Sequence, residues 1–480
     1  MYFRYSIVVF LGLSVLMAFC SRAFDPEVRT GSHIRPVDGH PEILISAISF
    51  FDEDDQPVID VSMDVILGSL VYRERDGIFK AEVTIQTEVY RIIDSSEDEY
   101  ERIAILRESK EVESSGRGIT NSRDVISHSE RVRADPGRYR VIVRAIDEDS
   151  GKESVQRANA RVYDPDGATP NLTHIKVKGR DQRDHSYDMP LNTYTIPGRV
   201  DTLRFEFQVT KNPDTGPLAV NMRLIKFESD TLPPRPMSGV TPSRGSLQYR
   251  GINYNRSEEL ESQQRILDEE TGNITIEYRT DRPSRGNYRF EVRVRSHESD
   301  DDWELFKARD FASMSSNFPN IVSVRELAKP LVYLMRRSEY RDLMEIEDRD
   351  SLKREIDRFW LSNIGNKEMA GRVIEEYYQR VEEANRQFTT FKEGWMTDMG
   401  LVYVLFGAPW YVEQSLDRVV WIYGYDRRDA RRVFYFQRTR VDSDAYPFEH
   451  YVLHRHTQYH SVEYEQIQRW LTGTILTRPI

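Results

Sequence analysis

The sequence predicts a multidomain protein: two all-β, sandwich-like domains followed by an α+β domain at the C-terminal end. Three observations carry this. Apolar and polar residues alternate at period two through short runs from residue 43 to about 300. One turn-and-strand element occurs twice, at 135–151 and 281–301. From about residue 304 the period lengthens to three and four, the spacing of helices that bury one face.

Length and composition agree. A chain of 480 residues exceeds what one core supports. With 39% apolar residues, 26 tyrosines and 21 phenylalanines it has the area to build several cores. The formal net charge is −12, with acidic and basic residues interleaved and no basic stripe, so nucleic acid is excluded as a partner. Cys20 is the only cysteine, which leaves no intrachain disulfide.

The opening "MYFRYSIVVFLGLSVLMAFCSRAF" places Arg4 before an apolar run from Ile7 to Phe19. As a helix this run would reach roughly 20 Å, short of a hydrocarbon core of roughly 30 Å. It reads as an export signal over residues 1–23. Cys20 at its end resembles the acylation site of a bacterial lipoprotein, although Phe19 stands where a small residue is usual. The alternative is ordinary cleavage after Ser21-Arg22-Ala23, giving a soluble chain that starts at Phe24. Either route places the protein outside the cytoplasm, in the envelope by a lipid anchor or secreted.

A polar tether, 24–40, precedes the first β-sandwich domain, 41–166. Its strands are "ILISAISFF" (43–51), "VIDVSMDVIL" (58–67) and "FKAEVTIQTEVY" (79–90). The polar stretch 108–130 reads as a long loop or weak edge. "DPGRYRVIVRAIDEDSG" (135–151) is a Pro-Gly turn, a strand and an acidic turn. The second β-sandwich domain, 167–303, contains "THIKVKG" (173–179), "TLRFEFQVT" (202–210), "AVNMRLIKF" (219–227) and "NITIEYRT" (273–280). It closes on "DRPSRGNYRFEVRVRSHESDD" (281–301), which aligns Gly137 with Gly286, Tyr139 with Tyr288 and Arg144 with Arg293.

The last domain, 304–480, begins with a helical segment. "LVYLMRRSEYRDLMEI" (331–346) supplies one or two short helices. In "SLKREIDRFW" (351–360) Leu352, Ile356, Phe359 and Trp360 share a stripe, with Asp350 or Ser351 as N-cap. A longer helix, 368–388, aligns Met369, Val373, Tyr377, Val381, Ala384 and Phe388. "VVWIYGY" (419–425) and "RRVFYFQRT" (431–439) read as a hairpin, and a final helix, 462–472, ends at Gly473.

Between helix and hairpin stands "GWMTDMGLVYVLFGAP" (394–409). Gly394 and Gly400 provide positive φ or a close backbone approach. Trp395 plugs the seam between helix and sheet. Thr397 and Asp398 bond local backbone N–H groups in an Asx-type turn. The run 401–406 reads as a strand buried on both faces, ended by Gly407 and Pro409.

This stretch, with "FW" (359–360), "EYYQRVEEANRQF" (376–388) and "VWIY" (420–423) in that order, resembles the GWxTD-domain family of bacterial envelope proteins over about residues 330–440. The resemblance implies an exported or lipoprotein-type protein with β domains upstream, and it implies no particular activity. Met399 and Trp410 depart from the family, where a basic and an acidic residue are common.

Candidate chemistry is sparse. Asp398 as general base with Thr397 beside it is the candidate catalytic pair, but catalysis needs a second ionisable partner and no motif supplies one. His450, His454, His456 and His460 fall within eleven residues; on a strand, His454 and His456 would share a face and could chelate a metal with Glu449 or Glu463. The acidic runs Asp52–Asp55 and Asp147–Asp149 lack the spacing of a dedicated calcium loop. Trp410, Tyr411, Trp421, Tyr423 and Tyr425 could stack on sugars or simply pack. No phosphate loop, Gly-x-Ser-x-Gly elbow or His-Glu-x-x-His helix occurs, and no cofactor is predicted. The reading is a non-catalytic envelope protein that acts as a binding or scaffold platform for an envelope protein or polymer, anchored to the membrane if Cys20 is acylated. The alternatives are a hydrolase using Asp398 or a histidine-held metal, and a carbohydrate-binding module.

Overall fold

The structure, a computed structural model, describes residues 40–477 apart from 95–98, 117–118, 121, 123, 166, 168, 183–188, 240–250, 269, 298–303, 425–431 and 440–449. The leader, the tether and Cys20 lie outside the described residues, as do Tyr425 and Glu449. The chain is mostly β-strand in several sheets, with few helices and a multidomain-like organisation.

The first part contains β1 (Ile43–Phe51), β2 (Pro57–Ile66), β3 (Arg73–Arg75), β4 (Ile78–Asp94), β5 (Glu99–Ser114), β6 (Val125–Arg133), β7 (Gly137–Asp147) and β8 (Lys152–Val162). They form a β1-β2-β6 sheet and a β3-β4-β7-β8 sheet on which β5 pairs with β4. Period-two alternation turns Val61, Met63 and Val65 of the first sheet and Val83, Ile85, Val141 and Val143 of the second into one buried cluster. The stretch expected as loop from 108 is β5 to residue 114 and β6 from 125. β5 sets an apolar run at 103–106 between charged segments, so it carries no period-two alternation to read; its ladder to β4 and the pairing of Lys80 with Glu111 and Glu113 hold it.

The second part repeats this plan with β9 (Asn171–Leu172), β10 (Lys176–Asp181), β11 (Met189–Pro190), β12 (Thr195–Ile196), β13 (Val200–Lys211), β14 (Leu218–Ser229), β15 (Ile252–Leu267), β16 (Gly272–Asp281), β17 (Gly286–Ser296) and β18 (Leu305–Ser313). One sheet runs β11-β10-β13-β16 with β9 beside β13, the other β12-β18-β17-β14-β15. Their shared core is aromatic, with Phe205 stacked on Phe290 at 4.2 Å. Strands therefore persist past residue 304: β18 pairs along β17, and among the described residues the first α-helix begins at Val324. The repeat seen in sequence has a common geometry. The buried Tyr139 and Tyr288 hydroxyls each donate to the carbonyl four residues back, Asp135 and Ser284, at 2.6 Å.

A side-chain amide pins the two β parts together. Gln208 donates to the Phe51 carbonyl at 2.8 Å and accepts the Phe51 N–H at 2.7 Å.

The third part holds α1 (Val324–Ala328), α2 (Arg337–Glu345), α3 (Arg349–Ile364), α4 (Lys367–Phe388), α5 (Asp398–Phe406), a β19-β20-β21-β22 sheet and α6 (Tyr459–Thr472). The strands are β19 (Tyr411–Gln414), β20 (Arg418–Ile422), β21 (Val433–Arg438) and β22 (Tyr451–Leu453). Asp348, not Asp350 or Ser351, caps α3, its carboxylate accepting the Ser351 N–H. Of the expected α4 stripe, Met369 is exposed while the other five are buried. Among the described residues no helix is long and apolar enough to cross a membrane.

Candidate functional site

The 394–409 stretch sits where α4 ends, and its backbone runs unusually close to that helix. Residues Gly394–Met396 form one 3₁₀ turn. A Cβ on Gly394 would lie 1.8 Å from the Ala384 carbonyl oxygen of α4, and one on Gly400 would lie 1.9 Å from the Gly394 carbonyl oxygen. Both glycines therefore serve close approach rather than positive φ. Gly407, which ends α5, does take a positive φ of 81°.

The run 401–406, expected as a strand, is helix α5. Six consecutive apolar residues fit either element when all faces are buried, and Thr397 decides in favour of the helix. Its hydroxyl accepts the Gly400 N–H at 3.0 Å as N-cap and donates to the Gly394 carbonyl at 2.7 Å. The far end of α5 is closed by α6: Gln466 and Trp470 both donate to the Leu405 carbonyl, at 2.8 and 3.0 Å.

Trp395 is buried, edge-on to Tyr333 at 5.9 Å, and its indole N–H donates to Glu393 at 2.8 Å. Tyr333 donates to the Trp395 carbonyl, and burial together with the nearby Asp398 charge raises its phenol well above the usual range. Asp398 occupies the first turn of α5, where a helix favours negative charge. Its Oδ1 accepts from Arg455 at 2.6 Å; its Oδ2 accepts from Arg455 at 2.8 Å and from the Leu453 N–H at 2.7 Å. Arg455 also donates to the Arg235 carbonyl at 3.1 Å. One carboxylate thus ties α5, the end of β22 and a segment of the second β part.

That segment, Asp230–Gly239, is a strap rich in proline. Lys392 pairs with Asp230 at 2.8 Å, both side chains buried, and donates to the Leu232 carbonyl. Met237 enters the core of the third part. Glu463 of α6 accepts the Met237 N–H at 3.0 Å and both the N–H and hydroxyl of Ser238. Burial raises the Glu463 carboxyl above its usual value. The strap, residues 332–340, α5 and α6 line a half-open cavity of about 860 Å³.

The histidines do not gather. His450 is buried, edging Phe391 at 5.1 Å with Thr390 at 3.5 Å from Nδ1. β22 stops at Leu453, so His454 and His456 lie beyond it, exposed, and His456 Nδ1 accepts the Gln458 N–H. His460 is on α6 at the cavity. Among the described residues no three His, Cys, Asp or Glu side chains are grouped as metal ligands. Asp52 accepts the N–H groups of Asp54 and Gln56, and Asp147 those of Val71 and Ser150. Trp421 and Tyr423 are core residues, whereas Trp410 and Tyr411 are about half exposed.

Sequence reading missed Arg455, Lys392 and the strap, and named Glu463 only as a possible metal ligand beside the histidines. Only the strap left a trace, the "PPRP" of 233–236, whose prolines favour an extended segment.

No curated protein matches the chain. Among solved structures, a mutant of Salmonella alpha-2-macroglobulin is similar at 12% identity, with a TM-score of 0.19 over 60% of this chain; the match spans 17% of that chain. Residues 285–472, which hold the Gly394 turn, Asp398 and its partner Arg455, match the family model described as GWxTD domain, so this part of the chain carries a GWxTD domain.

Proposed function

We propose that the chain is a non-catalytic protein of the bacterial cell envelope that serves as a binding or scaffold platform for another envelope protein or polymer. In this reading two β-sandwich domains lead into an α+β GWxTD domain, and Cys20, acylated after removal of the leader, holds the chain at a membrane. The observation that carries it is the full use of Asp398. A general base must turn a lone pair toward substrate, and both oxygens of this carboxylate face Arg455 and the Leu453 N–H inside the fold. Thr397, the other candidate, is engaged as a helix cap.

Crosslinking in native envelopes followed by affinity capture of the full chain tests the platform. The reading predicts one or a few recurrent crosslinked partners; hydrolytic turnover that Asp398→Asn abolishes in a still-folded protein would oppose it. Mass spectrometry of the mature N-terminus tests the anchor: acylated Cys20 is expected, and an unmodified Phe24 start contradicts it.

A further inference from the structure

We propose that the cavity between the Asp230–Gly239 strap and helices α2, α5 and α6 is a binding site for a small amphiphile, an apolar body carrying one anionic head. This is separate from the platform reading, which stands whether or not the cavity is filled.

Size comes first. About 860 Å³ lies within the roughly 300–1,000 Å³ of small-molecule pockets. The wall is built rather than accidental. Four elements distant in sequence supply it, and the strap that closes one side is fastened by Glu463 and by the Lys392–Asp230 pair. Its inner lining is apolar, with Pro234, Val332, Met335, Leu401 and Ile467 facing the space.

Charge then selects the head group. Arg337, at the first turn of α2, lines the cavity and is exposed; among the described residues its side chain makes no ion pair or hydrogen bond. On α6, His460, Tyr464 and Ile467 recur at one-turn spacing and present an imidazole and a phenol beside an aliphatic surface. The acid among them does not oppose an anion strongly. Glu463 is occupied by three donors from Met237 and Ser238, and burial favours its neutral form. A cavity with an apolar floor and an unpaired guanidinium at its rim is complementary to a carboxylate or phosphate on an aliphatic chain.

The test is calorimetric titration of sodium dodecanoate, below its micellar concentration, into the full chain, with dodecanol as the neutral control. One dodecanoate per chain is expected, with dodecanol at least about tenfold weaker. Arg337→Glu, at an exposed position that leaves the core untouched, should weaken dodecanoate about tenfold or more. Met335→Trp, which crowds the apolar part of the wall, should weaken dodecanoate about tenfold or more. Failure of dodecanoate to bind overturns the proposal. So does uptake of several equivalents indifferent to both substitutions, which is adsorption. Equal binding of dodecanol with no response to Arg337→Glu removes the anionic head. Tighter binding of a peptide ending in leucine carboxylate reassigns the cavity to a protein terminus and overturns the small-molecule claim.

Discussion

Tyr139 in the first β part and Tyr288 in the second stand near the start of equivalent strands and make the same hydrogen bond to a carbonyl four residues back. Their surroundings differ. Beside Tyr139 the half-buried Arg91 side chain, from the same β part, lies over Gly137 and donates to the Pro136 carbonyl at 3.3 Å. Beside Tyr288, Asn287 is buried, receives the Tyr194 hydroxyl and donates to the Phe391 carbonyl at 2.9 Å, just ahead of the GWxTD turn. Arg285 reaches Glu393, which also holds the Trp395 indole. Among the described residues the same strand head is a corner held within its own part in one copy and a joint to the third part in the other. The family match starts at residue 285, at the head of this strand.

The comparison can be broken in graded ways. Five of the six tryptophans, from Trp360 to Trp470, lie in the third part, so their fluorescence follows mainly that part while far-ultraviolet dichroism follows the strands as well. Gly394→Ala is the harshest change. It forces a methyl into the Ala384 carbonyl and should cost about 4 kcal/mol or more, abolishing the tryptophan transition while leaving strand signal from the first part. Lys392→Met removes the ammonium from buried Asp230 and should cost about 3 kcal/mol. If the joint is real, it also separates the tryptophan and strand transitions; coincident transitions in this variant would deny the joint.

Tyr139→Phe and Tyr288→Phe each remove one hydrogen bond worth about 1 kcal/mol. Only Tyr288→Phe should move the tryptophan midpoint. Equal shifts from both would erase the difference between the two copies. The mildest effect is at Glu463. Its folded-state value is raised by burial, so the folded protein holds that proton above the ordinary glutamate range, and the resulting stability disappears as pH rises through the raised value. Glu463→Gln should therefore melt higher than the wild type at pH 8, with the gap closing below about pH 4. A gap independent of pH would remove the linkage.

Legibility in the sequence followed how local each signal was. Strands with one apolar face, such as β1, β13 and β17, were readable from alternation alone, and the repeated Tyr identified the two corners before any geometry. α5 was misread because Leu401–Phe406 is apolar on every side, so neither period shows; the cap at Thr397 was the available cue. β5 and β18 were missed for different reasons, the first because its apolar run at 103–106 is flanked by charge and does not alternate, the second because it lies past the last clear turn. The joint was hidden entirely. Asp398 and Arg455 are 57 residues apart, and Asp230 and Lys392 are 162 apart, so no spacing rule connects them.

The central claim is that Asp398 fastens the fold. Its most direct test is the tryptophan-monitored unfolding midpoint of Asp398→Asn. Losing the charge opposite buried Arg455 should cost about 3 kcal/mol, a fall of about 10 °C, with Arg455→Ala giving a similar loss and the double variant much less than their sum. An Asp398→Asn protein that melts with the wild type would contradict the claim.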